Sequence, residues 1–189
     1  NKQIVAFARE AGGVESDIFR REYMCQIVVS RDAAILPSFT DNRREKMVME
    51  VEPPHYIPDT YVSLDIGFRD YENARLVIED EIVLAGNEAT TANLAEKITA
   101  KEYELWKHTI VHKRVCDTDP RLIEDLRKIS NLDFRPTKKD NKEAQVNQTN
   151  IMIGRNQIVI HPRCKTLILH MRYGIWNDAR TGFARTKAL

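Results

Sequence analysis

Apolar positions along the chain switch between helical and extended spacing, with polar and Gly/Pro punctuation between them. Residues 2–11 carry a helical pattern closed by Gly12-Gly13, because glycine takes the left-handed conformation at a helix C-terminus with little steric cost. Ser16 opens a second helical stretch running to Met24, and Ile27–Val29 is too short to place. The segment Pro37–Pro58 is polar and interrupted by Pro53-Pro54 and Pro58, so it reads as a linker or wrapping loop with a domain boundary near residue 50.

The pattern then becomes extended. Tyr61–Ile66 predicts a strand, apolar on both faces apart from Ser63 and ending in Asp65, and Ala74–Glu81 and Ile82–Gly86 predict two more. Three neighbouring strands point to an antiparallel meander. Thr90 and Thr91 cap a helix through about Trp106, with Leu94, Ile98 and Leu105 as its apolar stripe. His108–Cys116 contains a strand that stops at Asp117. Asp119-Pro120 is an N-cap followed by proline at the first helical position, opening a helix to about Ile129. Phe134–Thr137 predicts a short strand, Lys139–Ile153 a helix ended by Gly154, Gln157–Ile160 a strand, and Pro162 the start of a helix to about Tyr173. Ile175–Leu189 reads as a hairpin around Thr181-Gly182. The order predicts an α/β fold: a mixed sheet, with an antiparallel three-strand meander plus parallel strands, flanked by helices.

Composition narrows the class. The chain has 189 residues, 42% hydrophobic and 30% charged, enough to bury a core and unlike a disordered chain. No apolar run approaches the roughly 20 residues that span a bilayer, which excludes a transmembrane helix. No signal sequence is evident, and the opening Asn-Lys-Gln without a methionine is what a fragment of a longer protein would show. Cys25, Cys116 and Cys164 are odd in number and far apart, which argues against a disulfide scaffold and CxxC zinc knuckles and fits a reducing compartment. The net charge of +1 conceals an asymmetry: residues 1–109 carry 13 basic and 20 acidic side chains, residues 110–189 carry 16 and 8. From Ala144 to Leu189 there are seven Lys/Arg and one acid, Asp178. Clustered cations gain affinity for a polyanion by counterion release, although a solvated basic face has the same composition.

Asp65 and Asp117 are singled out by position, each at the end of a predicted strand. If those strands run side by side in parallel, their carboxyl ends open into one crevice. Two carboxylates there repel unless a cation lies between them, which points to Mg²⁺ or Mn²⁺ with oxygen ligands. A pair of such ions can activate water against a phosphodiester. Aspartate also caps strands and helices for purely structural reasons. Gly67 permits a tight turn after the first strand, and Asp70 lies where it can fold back towards the same site.

This set resembles the C-terminal nuclease domain of the large terminase subunit of tailed bacteriophages, which has an RNase H-like (RuvC-like) fold. The resemblance rests on Val62-Ser63-Leu64-Asp65-Ile66-Gly67 with Asp70-Tyr71, on Val115-Cys116-Asp117-Thr118-Asp119-Pro120 before a helix, and on Lys138-Lys139 before a long helix. The stretch Gly154 to His161-Pro162 and the FRREY run within Ser16–Tyr23 also carry it, the latter standing where such proteins pass from ATPase to nuclease. The resemblance implies that residues 1–50 are a linker following an ATPase domain absent from this chain, and that residues 51–189 are the nuclease domain without its last helix. It implies a metal-dependent endonuclease that cuts concatemeric double-stranded viral DNA during packaging. Asp65 and Asp117 are then the metal-bridging carboxylates and Asp70 an accessory acid, with Asp119 already explained as a helix cap. The family's third acid is expected beyond Leu189, and Asp178, in a turn beside Trp176 and Asn177, is a poor replacement. Portal and small terminase subunit become partners of the parent motor, located in the host cytoplasm and outside the mature virion. No GxxxxGK[ST] loop occurs, so the chain is not expected to bind ATP in that way.

DNA contact is assigned to Lys138, Lys139, Lys142, Arg155, Arg163 and Lys165, with Arg172 beyond them. Phosphate contacts of this kind position a duplex without reading its sequence. Two other functions compete: a non-catalytic DNA clamp or portal-docking module, and another RNase H-like enzyme such as a junction resolvase. His108 and His112 lack a flanking glutamate for a zinc helix, His161 reads as a packing or capping residue, Cys116 as a buried apolar residue, and Trp106 and Trp176 as core or edge cover.

Overall fold

Ile158-Val159-Ile160 is apolar at all three positions and buried at all three, the signature of a strand covered on both faces. In the computed structural model, which describes residues 2–25, 27–50, 60–63, 76–107, 111, 113–117, 119–137, 141–179 and 182–184, this strand anchors one of two parallel sheets. The elements in chain order are α1 (Lys2–Glu10), α2 (Asp17–Glu22), α3 (Asp41–Met47), β1 (Tyr61–Ser63), β2 (Leu76–Ile78), α4 (Thr91–Trp106), β3 (Lys113–Cys116), α5 (Pro120–Ser130), β4 (Phe134–Pro136), α6 (Lys142–Gly154), β5 (Ile158–Ile160) and α7 (Lys165–Tyr173), with one 3₁₀ turn at Gly86–Glu88. No described helix is long and apolar enough to cross a membrane.

The first sheet has the order β1-β3-β4 and the second pairs β2 with β5, parallel throughout. Each has its own core. Phe39 and Met47 from the α3 region, Met152 and Ile153 from α6, Ile158 and Ile160 from β5, and Cys164 and Met171 form one buried cluster, with Leu76 and Ile78 of β2 against it. Ala95 and Ile98 from α4, Cys116 from β3, Leu126 from α5, and Leu132 and Phe134 form the other, with Val62 of β1 and Ile82 against it. Ala8, Ala11 and Phe19 form a small third cluster between α1 and α2.

Local cap chemistry sets most of the helix starts. Ser16, Thr40, Thr90 and Asn141 each accept a hydrogen bond from a backbone N–H three residues on. Asp119 accepts from the Arg121 and Leu122 N–H groups at 3.1 and 3.2 Å, with Pro120 at the first helical position as expected. Gly12 and Gly13, at φ +86° and +111°, close α1.

Several expectations are corrected. The antiparallel meander is not formed among the described residues: only Leu76–Ile78 of the predicted second strand is extended, residues 82–85 join no strand, and β2 pairs in parallel with β5. The physical reason is the acidic run Glu79-Asp80-Glu81, whose carboxylates bind groups on α4 and α7 and carry the chain from one core to the other. The polar segment read as a loop contains α3, whose Met47 is buried, and Val48 bridges to Ile160. Gly154 is the last residue of α6, but the left-handed position that reverses the chain is Asn156, at φ +55°. α7 begins at Lys165 rather than Pro162. Its first turn is held from a distance, the Thr166 and Leu167 N–H groups donating to the Glu81 carboxylate at 2.7 and 2.8 Å. Of the tail hairpin the described residues carry an antiparallel bridge between Trp176 and Phe183, and Gly182 donates to the Asn177 side chain, while Thr181 and residues 185–189 lie outside the described residues.

Candidate active site at the carboxyl end of the parallel sheet

β1 and β3 lie side by side in parallel, with Tyr61 opposite Lys113, Val62 opposite Arg114 and Ser63 opposite Val115. This is the arrangement that makes the carboxyl ends of the two strands neighbours. Asp117 is exposed, directly past the end of β3. In sequence it stands two residues beyond Val115, as Asp65 stands two residues beyond Ser63, the partner of Val115. Asp65 and Asp70 themselves lie outside the described residues, as do His108, His112, Lys138 and Lys139.

The end of β3 is held firmly. Cys116 is buried, and its carbonyl accepts from the Thr137 N–H at 2.8 Å and from the Thr137 hydroxyl at 3.0 Å. Arg114, earlier on the strand, donates to both Glu102 oxygens of α4 at 2.6–2.7 Å. The Asp119 N–H donates to the Asp117 carbonyl at 2.9 Å, leading the chain into α5. Burial, then the Asp117 and Asp119 charges, push the Cys116 thiol above its ordinary pKa, so negative charge collects at this strand end. The thiol is therefore protonated packing, as the sequence predicts. Asp119 spends one oxygen on the α5 cap.

Among the described residues no group of three or more His, Cys, Asp or Glu side chains is arranged to hold a metal ion. Asp117 contributes a carboxylate, the donor type that hard divalent cations take.

The basic positions are scattered. Lys142 and Arg155 are exposed at opposite ends of α6, separated by about 20 Å of helix. Lys165 is exposed at the start of α7. Arg163 is turned back, its Nε donating to His161 Nδ1 at 2.9 Å and its guanidinium 3.5 Å from Asp80. Arg172 is committed to Asp41 through two hydrogen bonds of 2.9 and 3.0 Å and leaves the set of DNA-contacting candidates. His161 serves as a cap, its Nδ1 also accepting the Arg163 N–H at 3.2 Å.

Sequence reasoning missed Glu79, Asp80 and Glu81. Glu79 accepts from the Trp106 indole at 2.9 Å, Asp80 pairs with Lys101 at 2.7 Å, and Glu81 caps α7. Three consecutive acids after an apolar triplet were the available signal, since a strand edge rarely concentrates like charge. Burial pushes Cys164 up to about 11, with Glu81 and Asp80 adding to the effect, so this thiol is inert too.

No family profile matches the chain, and no curated protein matches it. Among solved structures, the large terminase from a thermophilic bacteriophage, in complex with ADP, superposes with a TM-score of 0.62 at 16% identity, over 100% of this chain and 48% of that one. A second structure of that terminase gives the same TM-score and identity over 49% of its length. The chain thus spans about half the length of that protein, and what it shares with it is a terminase-like α/β fold.

Proposed function

We propose that this chain is part of a viral DNA-packaging motor and supplies its metal-dependent endonuclease, cutting concatemeric double-stranded DNA. The observation that carries this reading is the parallel register of β1 and β3, which makes their carboxyl ends neighbours and puts Asp117 just past one of them. The likeness to the large terminase of the thermophilic bacteriophage supports it. In this reading residues 51–189 form the nuclease unit, with the α3 region packed into its core through Phe39 and Met47, and the residues before α3 connect it to the rest of the motor. Portal and small subunit are its partners, and the host cytoplasm is its place of action.

Asp65 and Asp117 would hold Mg²⁺ or Mn²⁺, with Asp70 beside them and a further acid beyond Leu189. When bound, such ions would supply water activation and charge neutralisation for attack on a phosphodiester. The chain's own residues do the rest. The parallel register of β1 and β3 makes the two strand ends neighbours, and the Thr137 bonds to the Cys116 carbonyl fix the strand end that leads into Asp117. Lys138, Lys139, Lys142, Arg155 and Lys165 hold the DNA backbone, with Arg163 contributing only as far as Asp80 releases it.

The test is supercoiled plasmid incubated with this chain, and with one extended past Leu189, in Mn²⁺, Mg²⁺ or EDTA. Metal-dependent nicking is expected, abolished in folded Asp65→Asn and Asp117→Asn variants. DNA binding without cutting by either chain would replace the nuclease with a clamp or portal-docking module. Preference for branched over linear DNA would replace it with a junction resolvase.

A further inference from the structure

The hairpin after α7 presents an aromatic ring to solvent. Trp176 and Phe183 bridge its two arms, with ring centroids 5.5 Å apart at a 46° tilt. Ala184 N–H donates to the Ile175 carbonyl, and Trp176 N–H to the Ala33 carbonyl, so the base of the hairpin is fixed to the body of the protein. Trp176 is half-buried, whereas Phe183 is 52% exposed. The Lys142 ammonium, at the head of α6, lies 5.1 Å from the Phe183 centroid, within cation–π range. A ring needed only to pin the hairpin would be expected to turn its area inward. This one keeps half of it in water, in the part of the sequence with seven basic residues and one acid.

We infer that Phe183 and Lys142 form a binding site for one unpaired nucleotide of a DNA strand, the ammonium leaving the ring to meet the phosphate as the base stacks in its place. Base–aromatic stacking is tolerant of sequence, because every base offers a π face. A base inside a duplex already has both faces covered, so the site selects a frayed end, an overhang or single-stranded DNA. The inference rests on the nucleic-acid reading above and extends it: the protein holds an end as well as a duplex.

The experiment compares affinity for a fluorescent short oligo(dT) and for a blunt duplex, by anisotropy, in the wild-type chain and in Phe183→Ala, Phe183→Leu, Phe183→Tyr and Lys142→Gln. Leu169→Ala, exposed on α7, is the control, and circular dichroism checks folding. Phe183→Ala is expected to weaken oligo(dT) binding by about tenfold more than duplex binding. Phe183→Leu, which keeps bulk without a π face, should behave like Phe183→Ala, and Phe183→Tyr should restore the wild-type ratio. Lys142→Gln should weaken both substrates. Equal losses on both substrates for the folded Phe183 variants, no loss, or a wild-type chain that ignores oligo(dT) would overturn the inference. Plasmid nicking is scored separately. Phe183-dependent oligo(dT) binding without nicking keeps this site and removes the nuclease; nicking without any Phe183 effect does the reverse.

Discussion

Arg172 shows how one residue changes meaning once its neighbours are known. In sequence it is another cation in a basic region. In the fold its guanidinium grips both Asp41 oxygens, while Arg20 approaches the same carboxylate at 3.4 Å. Two planar N–H···O contacts suit arginine and not lysine. The Arg172 hydrogen bond, above all, holds the Asp41 carboxyl below its ordinary 3.8, and the Arg172 charge and the Arg20 bond add to this against the opposing effect of burial. A carboxylate with a lowered folded pKa adds stability above its unfolded value and loses it as pH falls through the folded one. Urea denaturation of the wild type should therefore show stability declining as pH drops below about 4, near the ordinary value of 3.8. Arg172→Gln should flatten that acid limb while lowering stability at neutral pH. An unchanged limb in the variant would assign the acid sensitivity elsewhere.

At the scale of elements, Asp119 is set apart by its capping bonds from Asp117, the residue proposed above to hold a metal. It accepts two backbone N–H bonds at the start of α5, whereas Asp117, two residues earlier, is exposed beyond β3. Asp119→Ala should cost about 1 kcal/mol, read as a lower midpoint in thermal unfolding. Asp119→Asn, an equally good cap, should keep both the midpoint and plasmid nicking, and loss of nicking in that variant would promote Asp119 to the metal site. The same physics explains what was legible beforehand. Helices α2, α4 and α5 were visible because their caps are local, written within three residues of each start. The strand after Asp119-Pro120, Phe134–Pro136, was visible as a short apolar-led run. α3 was missed because Met47 is the one residue it buries, too little to make an apolar stripe. The start of α7 was misplaced because its cap is Glu81, more than eighty residues upstream in the chain. Strand partners were the least legible. The pairing of Leu76–Ile78 with Ile158–Ile160 rather than with Tyr61–Ser63 is a choice between distant segments, on which alternation and propensity are silent. Of the candidate site, Asp117 was readable as a strand-end aspartate, and the parallel neighbour that gives it meaning was only a condition.

For the molecule as a whole, the question is what joins two parallel sheets that each close their own core. One connection among the described residues runs through residues 79–81. Leu76 and Ile78 pack in one core and Ile82 in the other, so the chain crosses between them at three acids. Glu79 takes the Trp106 indole and Asp80 the Lys101 ammonium, both on α4, while Glu81 takes the first turn of α7. Asp80 is 10% exposed; burial alone would raise its pKa, but the Lys101 hydrogen bond, the Glu81 N–H and the Lys101 and Arg163 charges together hold it low. A second ion pair, Glu102–Arg114, continues from α4 onto β3, three residues before Asp117. The basic half on α6 and α7 and the acidic strand end are thus held in one frame by a short run of carboxylates. Asp80→Asn, Lys101→Met and the double variant should give a coupling energy of about 1 kcal/mol, because the two groups touch and one of them is largely shielded from water. Native-state hydrogen exchange tells whether the run is a joint or only a local pair. If it joins the cores, Asp80→Asn lowers protection together at Ile158–Ile160 and at Val115 and Cys116, since cooperative units open as wholes. Protection lost in β5 alone, with β3 unchanged, would mean that the two cores open independently and that Asp80 stabilises only its own side.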